Sequence, residues 1–221
     1  MGGLGEGDFV LALISGGASA LLVAPVDGVS LAEKQAINAA LLACGAPIAQ
    51  MNTVRKHLSR VKGGQLAAAA YPARVLALMI SDVPGDDMAF IGSGPTVGDA
   101  STPADALAIL EQWGAEVPAS ALAALGKPTG VIAPHNKRLS HITNRIYAAP
   151  AQSLAAAEAM AKAQGLRVVM LGDALEGEAR EVGRVMAGIA QQVATHGQPL
   201  GAPCVLLSGG ETTVTVRGQG R

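Results

Sequence analysis

Three carboxylates crowd one short stretch, Ser81-Asp82-Val83-Pro84-Gly85-Asp86-Asp87. Like charges this close repel unless a cation or hydrogen-bond donors compensate. Mg2+ takes oxygen ligands, typically one or two carboxylates together with substrate phosphates. Asp82, Asp86 and Asp87 are therefore candidate metal ligands. A carboxylate here could instead take the proton from an attacking hydroxyl. A solvated acidic turn is the plainer alternative. Gly92-Ser93-Gly94-Pro95-Thr96 follows closely, and Ser93 and Gly94 could add donors for an anion.

Arg55, Lys56, Arg60 and Lys62 place four fixed cations in eight residues. The chain has only 16 Lys and Arg, so this stretch is a local positive site. On a helix, Arg55, Ser59 and Lys62 would share one face and Val54, Leu58 and Val61 the other. Fixed cations hold phosphoryl and carboxylate oxygens. Arg55 and Lys62 join Asp82 and Asp86 as candidate catalytic residues; a solvated helix face is the alternative. His57 alone reads as structural.

Ser15-Gly16-Gly17-Ala18-Ser19 follows an apolar run, Phe9 to Ile14. Glycines let a backbone approach an anion closely, and their N–H groups can point at its oxygens. Ser15 and Ser19 would add hydroxyl donors. Ser208-Gly209-Gly210 repeats the tripeptide after another apolar run. The two turns could face each other across a cleft, or the second could be an ordinary hairpin turn. Neither matches a dinucleotide or Walker-type spacing.

These residues need a scaffold that brings strand ends together. Phe9–Ile14 and Val75–Ile80 read as fully buried strands, since both are continuous apolar runs. Ser30-Leu31-Ala32-Glu33 has capping-box form and opens a helix that Gly45 can close. Pro47 suits the start of a helix carrying Asn52 to Arg60. Thr102-Pro103 begins another, ending near Trp113-Gly114. Residues 116–143 are rich in Pro and Gly and read as a linker or domain crossing. The pattern then restarts with strands at 145–149, 166–171, 204–207 and 212–217 and helices at 152–164 and 176–195. Strands alternating with helices argue for an α/β protein with mostly parallel sheets. The expected division is one domain over 1–115 and the start of a second over 144–221.

Composition narrows the class. Half of the 221 residues are hydrophobic and the net charge is −1, so a real core is available and no broad basic patch invites nucleic acid. No apolar run reaches the roughly 18 residues of a membrane span, and the N-terminus lacks the basic start and apolar core of a signal peptide. A cytoplasmic location is expected. Cys44 and Cys204 lie far apart without zinc spacing and read as free thiols.

In order and spacing, Leu13 to Leu22, Asn52 to Gly64, Ser81 to Thr96 and Ser208 to Val216 together resemble the class II glycerate 2-kinase family, whose C-terminal region is called the MOFRL domain. The resemblance covers nearly the whole chain, and Asn52–Gly64 and Asp82–Thr96 are its specific stretches. It implies a Rossmann-like three-layer domain with a smaller α/β domain. It implies ATP-dependent phosphorylation of D-glycerate at its 2-hydroxyl, with Mg2+. The implied partners are a sugar acid and a nucleotide; a homodimer is left open. Some members carry the label hydroxypyruvate reductase. Many members have a third glycine where this chain has Ala18. The family also has roughly a hundred residues before the position of Met1, including a lysine thought to act at the active site, and continues beyond Arg221 into an arginine-bearing motif. The chain is therefore expected to be an internal fragment, and inactive alone.

Overall fold

The computed structural model describes residues 3–215. They divide into two compact units, residues 3–83 with 87–147, and residues 84–86 with 148–215. The architecture is α/β.

In the first unit, β1 (Phe9–Ile14) and β2 (Arg74–Ile80) are neighbours in a sheet of order β1-β2-β3, where β3 is Ile142–Ala148. β1 and β2 run parallel, in register from Phe9 opposite Arg74 to Ile14 opposite Met79. Their carboxyl ends therefore lie at one edge, where open α/β sheets bind ligands. The helices are α1 (Ala18–Leu21), α2 (Leu31–Ala43), α3 (Ile48–His57), α4 (Gln65–Ala69), α5 (Pro103–Gln112) and α6 (Ala119–Leu125).

Local sequence explains the helix starts. Ser30 accepts from Glu33 N–H at 3.2 Å while the Glu33 carboxylate takes Ser30 N–H at 2.7 Å, the reciprocal cap expected. Thr102 and Asp105 repeat this at α5, with Pro103 at its first position. Leu41, Met51, Val54, Leu58, Leu110 and Leu125 then interlock α2, α3, α5 and α6. Each such side chain contributes about 1.5–3 kcal/mol by leaving water. A smaller cluster, Ile14, Ala77, Met79 and Ile91, packs on one face of the sheet.

Three expectations change. β1 and β2 are not buried on both faces: Phe9, Leu11 and Leu13 are exposed, as is Ile80. Only the alternate residues meet the core that the described residues form. The helix expected over Asn52 to Arg60 stops at His57. Residues 58–60 instead bond to 24–26, with Val26 N–H to Leu58 O and Arg60 N–H to Ala24 O. Arg55, Ser59 and Lys62 thus do not share a helical face. Finally, residues 116–143 pack into the first unit. Ala121 and Leu125 are in its core, Ile132 bonds through its backbone to Gly63 and Asp99, and β3 joins its sheet.

The second unit holds α7 (Pro150–Ala163), β4 (Arg167–Met170), β5 (Leu175–Glu178), α8 (Ala179–His196), β6 (Cys204–Leu207) and β7 (Gly210–Thr213). β4 pairs with β6 and β5 with β7, both parallel. The hairpin alternative at Gly209-Gly210 is thus excluded, because β6 and β7 take different partners. α8 begins three residues later than expected because Leu175–Glu178 is drawn into pairing with β7. The expected strand over Thr212–Arg217 extends into residues 216–221, which lie outside the described residues. No helix among the described residues is long and apolar enough to cross a membrane.

Candidate active site

Ser15-Gly16-Gly17 follows β1 and Ser81-Asp82 follows β2, so parallel pairing sets them side by side. Gly17 N–H donates to Asp82 Oδ2 at 3.1 Å. Gly17 has φ 77°, and a Cβ on Gly16 would lie 2.5 Å from the same oxygen. A side chain on Gly16 would therefore have to displace Asp82, while at Gly17 the left-handed backbone itself favours glycine. The anion that the turn holds belongs to the protein itself, which fixes where Asp82 points.

Ser19, on α1, lies 3.0 Å from Ser93, oxygen to oxygen. Ser93 Oγ lies 3.2 Å from Asn52 Oδ1, which Arg55 Nη1 approaches at 3.5 Å. Arg55 Nε also donates to Asn38 at 2.7 Å. Ser93 has φ 63° and Asp86 φ 56°, the positive-φ non-glycine residues among those described. Both are among the residues singled out from the sequence, and non-glycine residues in this region carry backbone strain. Gly94 has φ 63°, and its N–H bonds back to Ile91 O.

Lys62 is 0% exposed. Its ammonium donates to Ser19 O at 2.9 Å and Gly92 O at 3.2 Å, and reaches Ser93 Oγ at 3.5 Å. An ammonium has three donors, and all three are engaged within the protein. The expectation of Lys62 as a catalytic cation is corrected: it ties α1 to the loop before Gly94. Burial, then the charges of Lys34, Arg55 and Lys56, pushes it down to about 8.

The basic stretch does not act as one site. Arg60 pairs with Asp27 at 3.3 Å on the surface. Lys56 is neutralised by Asp99 and lies 5.4 Å from the Phe90 ring centre. His57 is buried, with Nδ1 2.6 Å from Thr129 and Nε2 3.1 Å from Ser101. Burial pushes His57 down despite Asp99, so it is a neutral structural linker. Lys34 replaces these as a member sequence reasoning missed. It donates to Leu58 O at 2.8 Å, and burial with Arg55 pushes it down to about 8. Its register with Ile37 and Leu41, on the buried face of α2, was the available signal. Burial also pushes Arg55 down. Among the described residues, no salt bridge reaches Lys34, Arg55 or Lys62.

The three aspartates are not gathered. Asp87 accepts from Ala89 N–H at 2.8 Å, and Asp82 holds Gly17. No cluster of three His, Cys, Asp or Glu side chains suited to a metal occurs among the described residues. A magnesium ion bound here would take one or two carboxylates and complete its shell from phosphate and water, the usual manner for that ion.

Ser208-Gly209-Gly210 belongs to the second unit. Gly209 N–H donates to Gly172 O at 2.9 Å and Gly209 O accepts from Leu175 N at 3.1 Å. Gly210 has φ 136°, and a Cβ there would overlap the Leu175 backbone. These groups join strands.

Residues 1–126 match the family model described as Domain of unknown function (DUF4147). The chain is 54% identical over 216 residues to a protein of Agrobacterium vitis named "Putative hydroxypyruvate reductase", covering 97% of this chain and 48% of that one. It is 43% identical over 217 residues to the D-glycerate 2-kinase of Thermotoga maritima, covering 98% and 51%. A crystal structure of glycerate kinase from Thermotoga maritima matches with a TM-score of 0.83, covering 99% of this chain and 51% of that one. The chain spans about half the length of these relatives. With the family model matching more than half of its residues, the chain belongs to the family described as domain of unknown function DUF4147.

Proposed function

We propose that this chain is part of an ATP-dependent kinase that phosphorylates D-glycerate at its 2-hydroxyl, with Mg2+, in the cytoplasm. The observation that carries the reading is the group of Lys34, Arg55 and Lys62: burial pushes all three down, neighbouring cations push Lys34 and Lys62 down further, and no salt bridge reaches them among the described residues. The positive potential of this group favours an anion bound nearby, with Arg55 as the cation that can meet it and Lys62, its donors spent within the protein, acting only at a distance. The names of the similar kinases then supply the substrate class. The two-unit division fits most of a first domain and the start of a second.

In this mechanism, Asp82 Oδ1 or Oδ2 accepts the proton of the attacking hydroxyl, while Gly17 N–H keeps the carboxylate oriented. Arg55 neutralises substrate or nucleotide oxygens. Ser15, Gly16 and Ser19 border the place where the sugar acid sits, with Ser93 and Gly94 behind Ser19. Alternatively Asp82 would hold the metal, whose chemistry is to neutralise charge on the phosphates, and would then not be the base. Ser208, Gly209 and Gly210 are assigned no contact with substrate.

The reductase name of the Agrobacterium relative favours a second reading, reduction of hydroxypyruvate by NAD(P)H. The turns after β1 and β2 lack the dinucleotide glycine spacing. A single experiment separates the two. The full-length gene product is given D-glycerate and Mg-ATP, and ADP release and the product are followed by phosphorus NMR; hydroxypyruvate with NAD(P)H runs in parallel. Formation of 2-phosphoglycerate is the expected result. Cofactor oxidation without ADP would replace the kinase with the reductase.

A further inference from the structure

The polar chain behind the first glycine turn has a fixed direction. A guanidinium can only donate, and Arg55 Nη1 lies 3.5 Å from the Asn52 amide. The amide must therefore turn its oxygen, not its nitrogen, toward Arg55. Ser93 Oγ lies 3.2 Å from that oxygen, so Ser93 is the donor between them. Lys62, again donor only, approaches Ser93 Oγ at 3.5 Å. Both cation contacts are long, and it is the sign of their charge that orients the groups facing them. With its one proton on Asn52, Ser93 can only accept from Ser19, whose Oγ is 3.0 Å away. The Ser19 proton is thereby committed. Its lone pairs remain, on a residue that is half-buried rather than sealed.

We infer that Ser19 is a specificity residue that accepts a hydrogen bond from a hydroxyl of the bound substrate. This rests on the sugar-acid kinase reading and names the group recognised. It also reverses the sequence expectation that Ser19 donates to an anion. A keto or carboxylate oxygen placed over Ser19 would meet lone pairs with lone pairs, so the position selects a hydroxy acid. Arg55 and Lys62 act here through Asn52 and Ser93, as positioning residues, without touching the substrate at this point.

The test uses the full-length gene product and two competitive inhibitors of D-glycerate phosphorylation. Lactate lacks the 3-hydroxyl and 3-hydroxypropionate lacks the 2-hydroxyl. In the wild type one of them should bind at least about tenfold more weakly than D-glycerate, because the Ser19 acceptor loses its donor. Ser19→Ala should weaken D-glycerate and close that gap to about twofold, since the acceptor is gone from both complexes. Ser93→Ala frees the Ser19 proton and should shrink the same gap with Ser19 still in place, so the test stands even if Ser19→Ala fails to fold. A gap absent from the wild type, or unchanged in both folded variants, overturns the inference while leaving phosphoryl transfer intact. If no hydroxy acid accepts phosphate, the kinase reading falls and this inference with it.

Discussion

The same tripeptide, Ser-Gly-Gly, follows an apolar strand in each unit, yet the two turns do different work. After β1, Gly17 aims its N–H at a side-chain carboxylate, Asp82. After β6, Gly209 bonds to the backbone of Gly172 and Gly210 presses against that of Leu175. The difference lies in what the neighbouring strand presents. β2 runs parallel to β1 and is followed two residues later by an aspartate, whereas β7 starts soon after β6 and takes β5 as partner. A glycine turn is thus permission for close approach, and its surroundings decide what approaches.

Substitutions can break this contrast. Gly210→Ala should have the largest effect. A Cβ at φ 136° overlapping the Leu175 carbonyl should destabilise the second unit by at least about 3 kcal/mol, read from a urea melt; an unchanged midpoint would refute the backbone role. Asp82→Asn should lower kcat of the full-length protein at least about a hundredfold, with the melt displaced by less than about 1 kcal/mol. Near-normal turnover would sink its assignment as base or metal ligand. Gly16→Ala should push Asp82 aside and lower turnover roughly tenfold, since the Cβ meets a movable side chain rather than backbone. A Gly16→Ala enzyme as active as the wild type would mean that Asp82 needs no fixed orientation.

The smallest effect concerns the buried cations. Lys34 and Lys62 both fall from 10.5 to about 8 on folding. Below about pH 8 they are charged in both states, and the folded chain carries the cost of burying them. Between about pH 8 and 10.5 the folded chain releases protons that the unfolded chain still holds, so stability rises with pH. The melting midpoint should therefore rise between the two ends of that window. A midpoint that falls with pH would contradict the burial of these ammonium groups.

Much of this was legible in sequence because it is local. The Ser30 and Thr102 caps, the strand at Cys204–Leu207 and the turns after β1 and β2 depend on residues within a few positions of each other. The misreadings are tertiary. Nothing near Lys62 shows that its ammonium will be sealed by Ser19 and Gly92, 43 and 30 positions away. Nothing near His57 shows that residues 24–26 will claim the chain that should have extended α3. Asn52 was quoted only as part of a motif, yet it joins Arg55 to Ser93. Its importance follows from donor and acceptor direction, which composition and spacing do not contain.

The uncovered face of β1 has a practical consequence. Phe9-Val10-Leu11-Ala12-Leu13-Ile14 is six residues without a charge or a proline. Phe9, Leu11 and Leu13 face solvent, and among the described residues β1 has a neighbour in its sheet on one side only. In a sample of these 221 residues alone, such a segment is a template for edge-to-edge fibril growth. A Leu11→Lys substitution should slow the thioflavin signal of a concentrated sample while leaving the parallel pairing with β2 in place.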